Sequence, residues 1–134
     1  MKYLLDTNMC IYIIKQQPES VIKKFKTLQL GDIGISSITF AELTYGVEKS
    51  ARPTQNKSAL EKFTLALDIM PFDDNAASHY GNIRAVLEKK GLPIGALDLM
   101  IAAHARSIAA IVVTNNSKEF SRVPGLVVEN WVLR

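Results

Sequence analysis

Short apolar runs alternate along this chain with longer segments whose apolar residues recur three and four positions apart. The first pattern predicts buried strands and the second amphipathic helices. Residues 2–5, KYLL, read as a strand, and the segment from Thr7 to about residue 15 as a helix. Pro18 is a favoured first residue for a second helix, with Val21, Phe25 and Leu28 as its inner stripe. Residues 32–36 predict another strand, after which Ser37 can cap a helix through FAELTYGVEKS that carries Glu42 in its first turns.

The scheme then repeats. Pro53 opens a helix with Leu60, Phe63 and Leu67 at helical spacing, and residues 68–72 predict a strand. Asp73 can cap a helix ending at Gly91, and a loop over residues 92–95 leads into a helix from Ala96 to about residue 109. Residues 110–114, apolar and β-branched, give the clearest strand. Continuous apolar strands between amphipathic helices imply a sheet covered on both faces. The expected fold is a three-layer α/β/α sandwich with a short, mainly parallel sheet.

Composition narrows the class. With 134 residues, 48% hydrophobic and 22% charged, the chain has room for one packed core, so a single domain over residues 1–134 is expected. Cys10 is the only cysteine and sits in an apolar run, which excludes an intrachain disulfide and suggests an inert buried thiol. The opening MKYLLDTN meets a carboxylate at position 6, and no apolar stretch is long enough to span a bilayer, so the cytoplasm is the expected location, without a membrane partner. The net charge of +3 permits an anionic partner without demanding one.

In a parallel α/β sheet the ligand crevice lies beyond the carboxyl ends of the strands. Asp6 directly follows the first predicted strand, and Asn115 and Asn116 follow the last. Asp98 opens a strongly apolar helix in GALDLMIAAHARS, where a charge bordering the core needs a partner. Singly, each carboxylate has an ordinary explanation: Asp6 and Asp98 as helix-start residues, Glu42 as an exposed helical one. Together they suggest a hard-cation site, because magnesium takes oxygen ligands, binds through one or two carboxylates and keeps several waters. Such a site suits phosphodiester hydrolysis. Magnesium is the expected ion, with manganese the other candidate, and Asp6 and Asp98 are its expected ligands.

The segments LLDTN, FAELTYG, ALDLMIAAHA and VVTNNSKEF resemble, in order and across essentially the whole chain, the four motif regions of PIN-domain ribonucleases, specifically VapC-type toxins. The resemblance implies roles for Asp6 with Thr7, for Glu42, for Asp98, and for Thr114 with Asn116. Many PIN domains carry an aspartate where this chain has Asn116, and Glu119, one short turn later, is the candidate to supply the missing charge. The resemblance further implies an RNA substrate, often a tRNA anticodon loop, and a co-expressed VapB-type antitoxin whose C-terminal segment occupies the acidic cleft. A homodimer and a larger toxin–antitoxin assembly are implied as well. The NNxxEF ending and the GLPIG loop resemble the enterobacterial subgroup, for which initiator tRNA is the expected substrate.

Other residues carry less. His79 and His104 lack zinc-ligand spacing and read as surface or half-buried groups. Ser36, Ser37 and Cys10 have sufficient roles as caps and core. Tyr45 suits either the core or a partner-facing surface, and Gly46 a close-packed helix position. Most lysines read as solvated faces, whereas Arg84, Lys89 and Lys90, just before the loop to Asp98, are the candidates for phosphate contact. A haloacid-dehalogenase-like phosphatase also begins with an aspartate after its first strand, but it needs a second one two residues on, where this chain has Asn8. A catalytically inactive binding module that keeps the fold is the remaining alternative.

Overall fold

The central strand is β1, Tyr3–Leu5. In the computed structural model, which describes residues 2–133, it pairs in parallel with β2, Ile33–Ser36, on one side and β4, Ile111–Val113, on the other. β3, Asp68–Met70, adds to β2, and β5, Val128–Glu129, adds to β4, giving a five-stranded parallel sheet in the order β3-β2-β1-β4-β5. The chain winds outward from β1 through β2 to β3, then returns to the other side of β1. The reversal falls between β1 and β4, where crevices form in such sheets.

Tyr3, Leu4 and Leu5 are all buried because their alternating side chains feed two separate cores. Tyr3 and Leu5 join Met9, Ile13, Val21, Ile35, Leu60 and Phe63 on one face. That face is covered by α1 (Thr7–Ile14), α2 (Glu19–Lys26), α3 (Ser37–Glu48) and α4 (Pro53–Thr64). Leu4 points the other way, to Ile83, Leu87, Leu99, Ile101 and Phe120, contributed by α5 (Asp74–Lys89), α6 (Ala96–Ser107) and α7 (Ser117–Phe120). The expected three-layer α/β/α sandwich is the observed architecture. Among the described residues, no helix is long and apolar enough to cross a membrane.

Several expected boundaries shift for local reasons. Ser36, not Ser37, caps α3: its hydroxyl accepts from the Ile38 N–H at 3.1 Å, while the Ser37 hydroxyl accepts from the Phe72 N–H at 3.0 Å. β3 stops at Met70 because Pro71 has no N–H to continue a ladder. Pro18 is the residue before α2 rather than its first turn. β5, only two residues long, is too short to announce itself by periodicity.

The connection that carries the chain into α6 is a helix stop built on Gly91. The Leu92 N–H donates to the Leu87 carbonyl at 3.0 Å and the Gly91 N–H to Glu88 at 3.1 Å, with Gly91 at a φ of +67°. This is the Schellman arrangement, in which a left-handed residue turns the chain off the helix. Nothing lies within 4 Å of a Cβ built at Gly91 or at the exposed mid-helix Gly81, so only backbone preference separates the two sites. Gly91→Ala is expected to lower stability by about 1 kcal/mol and Gly81→Ala to raise it by about 0.5–1 kcal/mol. Urea unfolding of both variants checks this; equal effects would show that Gly91 holds no special conformation.

Candidate functional site

β1 and β4 end side by side, with Leu5 paired to Val113, and so deliver Asp6 and Thr114 to neighbouring positions at the reversal point of the sheet. The Asp6 N–H donates to the Val113 carbonyl at 3.0 Å, which continues the strand pairing by one bond. Its side chain is only 3% exposed. One carboxylate oxygen caps α1 by accepting from the Met9 N–H at 2.9 Å, and the other accepts from the Thr114 hydroxyl at 2.6 Å. The Thr114 hydroxyl in turn accepts from the Asn116 N–H at 2.8 Å. The ordinary role of Asp6 as a helix cap and its candidate role in a site therefore coexist.

Three further elements bring polar groups to the same edge. Thr7, the first residue of α1, donates through its hydroxyl to Oε1 of Glu42 on α3 at 2.7 Å. The Asn116 side-chain amide donates to Oδ2 of Asp98, in the first turn of α6, at 3.2 Å. Asp98 and Glu119 are both partly buried, and Glu119 stands close enough to raise the pKa of Asp98. Asp6, Thr7, Glu42, Asp98, Thr114, Asn116 and Glu119 thus lie along one connected set of hydrogen bonds and charge interactions.

Electrostatics give this set its chemical character. Burial pushes the Asp6 pKa up to about 6, against the hydrogen bonds from Thr114 and Met9 that favour the carboxylate, and the charges of Asp98 and Glu42 push it the same way. Asp98 is also raised, first by desolvation and then by Glu119 and Glu42, with the Asn116 amide opposing. Among the described residues no lysine or arginine forms an ion pair with any of these carboxylates. A desolvated carboxylate beside other carboxylates with no counter-cation favours a bound cation, and the donors are all hard oxygens. No group of three or more His, Cys, Asp or Glu among the described residues is arranged to hold a metal directly.

The remaining expected residues fall elsewhere. Arg84 is exposed and paired with Glu88 at 2.8 Å and Tyr80 at 3.0 Å, beside a hollow of about 220 Å³ that also touches Ala96 and Leu99 of α6. Lys89 and Lys90 are exposed at the end of α5. His104, expected at the surface or half-buried, is 1% exposed, with Nδ1 2.8 Å from the Ser36 hydroxyl and its ring edge-on to Phe72. An alanine-rich helix that packs tightly draws the imidazole inside. His79 is half-buried and accepts from Arg106 Nε at 2.8 Å. Cys10 is fully buried with its thiol pKa pushed up, and is chemically inert. Sequence reasoning overlooked Lys15, which lines a hollow of about 280 Å³ together with Glu42. It is the exposed residue that caps the end of α1, and nothing local in the sequence separates it from solvated lysines.

The raised pKa of Asp6 makes a stability prediction. Its folded value of about 6 exceeds the ordinary 3.8, so the native chain holds the proton more tightly, and stability is fullest below 3.8 and falls as pH rises through 6. The loss at neutral pH is on the order of 3 kcal/mol. Asp6→Asn keeps an acceptor for the Met9 N–H and removes the charge. In EDTA it is expected to exceed the wild type in urea stability at pH 7.5, with the advantage shrinking towards pH 4. Superimposable stability–pH curves would show that the buried carboxylate carries no such cost.

Comparison with known proteins agrees with the fold. A family model described as PIN domain matches residues 3–126. The tRNA(fMet)-specific endonuclease VapC of Shigella flexneri is 49% identical over 131 residues, covering 98% of both chains. Ribonuclease VapC2 of Haemophilus influenzae is 48% identical over 132 residues, covering 98% of this chain and 99% of that protein. Among solved structures, VapBC2 from Rickettsia felis, bound to a DNA fragment from its promoter, matches with a TM-score of 0.92 at 47% identity, covering 98% of this chain and 100% of that one. DNA-bound VapBC from Salmonella typhimurium matches with a TM-score of 0.93 at 46% identity, covering 98% and 99%. The chain belongs to the PIN-domain family and, within it, to the VapC ribonucleases of toxin–antitoxin systems.

Proposed function

We propose that this chain, as one domain, is a magnesium-dependent endoribonuclease toxin that cuts initiator tRNA in its anticodon loop. The observation that carries the reading is the uncompensated acidic crevice, in which buried Asp6 stands within electrostatic reach of Asp98 and Glu42. The substrate follows from similarity, since relatives 47–49% identical over 98% of this chain are tRNA(fMet)-specific endonucleases. A loop is also where RNA offers unpaired bases and an accessible backbone together.

PIN-domain ribonucleases depend in general on divalent metal ions. Asp6 and Asp98 are the residues that would hold magnesium, which when bound polarises a phosphoryl oxygen as a Lewis acid. Thr114 and the Met9 N–H fix the Asp6 carboxylate, so it needs little rearrangement to act. Thr7 engages only Oε1 of Glu42, and the other oxygen is available to orient a water and take its proton as the water oxygen attacks phosphorus and the P–O bond to the departing ribose breaks, the leaving ribose oxygen taking a proton from solvent. Asn116 steers Asp98 in place of a fourth carboxylate, and Glu119 adds the negative charge that Asn116 lacks. Arg84, Lys89 and Lys90 are assigned to the RNA backbone flanking the crevice. A VapB-type antitoxin is the assigned partner, as in the VapBC complexes of the relatives, and the toxin is assigned as a homodimer within that assembly.

The test is incubation of purified, antitoxin-free protein with total cellular RNA, in magnesium or EDTA, followed by sequencing of new ends. A discrete cut in initiator tRNA is expected, lost in EDTA and in Asp98→Asn. Glu42→Gln is expected to lower kcat about 10²–10⁴-fold. No Asp98-dependent cut in any RNA would instead favour a binding module that has kept the fold.

A further inference from the structure

Along α3, Glu42, Tyr45 and Lys49 stand three and seven residues apart and share one side of the helix and its cap. At 1.5 Å per residue, Tyr45 lies about 4.5 Å and Lys49 about 10.5 Å beyond Glu42 along the axis. Tyr45 is 65% exposed, and every other aromatic side chain among the described residues is buried or partly buried. Its ring packs against no core residue of α3, whose inner side is Thr39 and Leu43. The Lys49 ammonium lies 4.9 Å from the ring centroid.

An exposed ring with a cation beside it, one helical turn from a phosphodiester-cutting carboxylate, matches what single-stranded RNA requires. Unstacked bases pack on aromatic faces, and lysines neutralise the adjoining phosphates. We infer that Tyr45, backed by Lys49, is the stacking platform for the base adjoining the scissile phosphate. This rests on the endoribonuclease reading of the acidic crevice and adds to it a reason for choosing an unpaired loop. A base held in a duplex cannot leave its neighbours to reach the ring, so the platform selects RNA that is already splayed. The contact is to the π-face and not to a base edge, so it favours single-stranded geometry and leaves base identity to other groups.

The test uses full-length, antitoxin-free protein in two arms. In the first, Asp98→Asn protein binds a fluorescein-labelled single-stranded RNA containing the cut sequence, followed by anisotropy. Adding Tyr45→Ala is expected to weaken binding roughly 5- to 150-fold, whereas Tyr45→Phe and Tyr45→Trp keep the affinity. Alanine suits an exposed helix position, so folding is preserved. Lys49→Ala is expected to reduce the salt dependence by about one counterion. In the second arm, an RNA with an abasic nucleotide beside the cut is cleaved by otherwise wild-type protein and by Tyr45→Ala. The abasic penalty is expected to fall on KM in the wild type and to vanish in Tyr45→Ala, because the ring and the missing base are partners.

Equal abasic penalties in both proteins overturn the inference while leaving the ribonuclease reading intact. Binding that depends on Tyr45 in a protein that cuts no RNA overturns the ribonuclease reading and, with it, the placing of the ring beside a scissile phosphate. A change of mass in light scattering for Tyr45→Ala, with affinity restored at high protein concentration, makes the ring a contact between two copies and overturns the inference.

Discussion

The site rests on a buried carboxylate that is held twice. Asp6 lies almost wholly out of water, where its charge is costly, yet the Met9 N–H and the Thr114 hydroxyl fix both of its oxygens. The Thr114 hydroxyl is within reach because β1 and β4 are neighbours and β4 ends one residue before Thr114, while the Met9 N–H is local, in the first turn of α1, which begins one residue after Asp6. The parallel pairing of two three-residue strands thus determines where the negative charge sits. The hydrogen bonds do not cancel the desolvation, and the pKa of Asp6 stays raised. What remains is an electrostatic deficit that a bound cation would relieve, so under the proposed function the cost to stability would also be the source of affinity for a metal ion.

The other carboxylates come from opposite sides of the sheet. Glu42 belongs to α3, which packs on one core, and Asp98 to α6, which packs on the other. Two layers that could slide independently must be kept in register if the charges are to act together. A buried pin does this at the start of α3: Ser36, which caps that helix, shares a hydrogen bond of 2.8 Å with His104 of α6. Burial lowers the pKa of His104, and the imidazole stays neutral at neutral pH, which suits an interior it shares with Phe72. Thr7 and Asn116 then complete the alignment locally, each by a single hydrogen bond to one carboxylate.

Much of this was legible in the sequence. β1 and β4 are continuous apolar runs, and Asp6 and Asp98 interrupt apolar patterns where a charge needs a reason. The capping aspartates at positions 6 and 73 act as their positions suggest. What stayed hidden depends on tertiary neighbours. The choice of Ser36 over Ser37 as cap is made by Phe72, which takes the Ser37 hydroxyl from a distant strand end. His104 looks like any helical histidine until the small residues around it draw the helix close enough to bury it. Tyr45 could not be assigned to core or surface from spacing alone, because α3 is apolar on more than one side.

Glu42 and Tyr45 share a helix but answer to opposite constraints. Glu42 is held back towards the sheet edge by Thr7, while Tyr45 is left in water, where an aromatic ring gains nothing from the fold. Elsewhere the chain gathers its rings inward, as with Tyr3 edge-on to Trp131 and Phe25 against Phe63. A lone exposed ring is unremarkable by itself, since isolated apolar groups are common on protein surfaces. Its weight comes from position. The same turn of helix that fixes Glu42 also fixes Tyr45 relative to it, so a nucleotide stacked on the ring has its phosphate aligned with the acidic crevice by a rigid element rather than a loop. Orientation of that kind lowers the barrier to attack without any added contact to the reacting atoms.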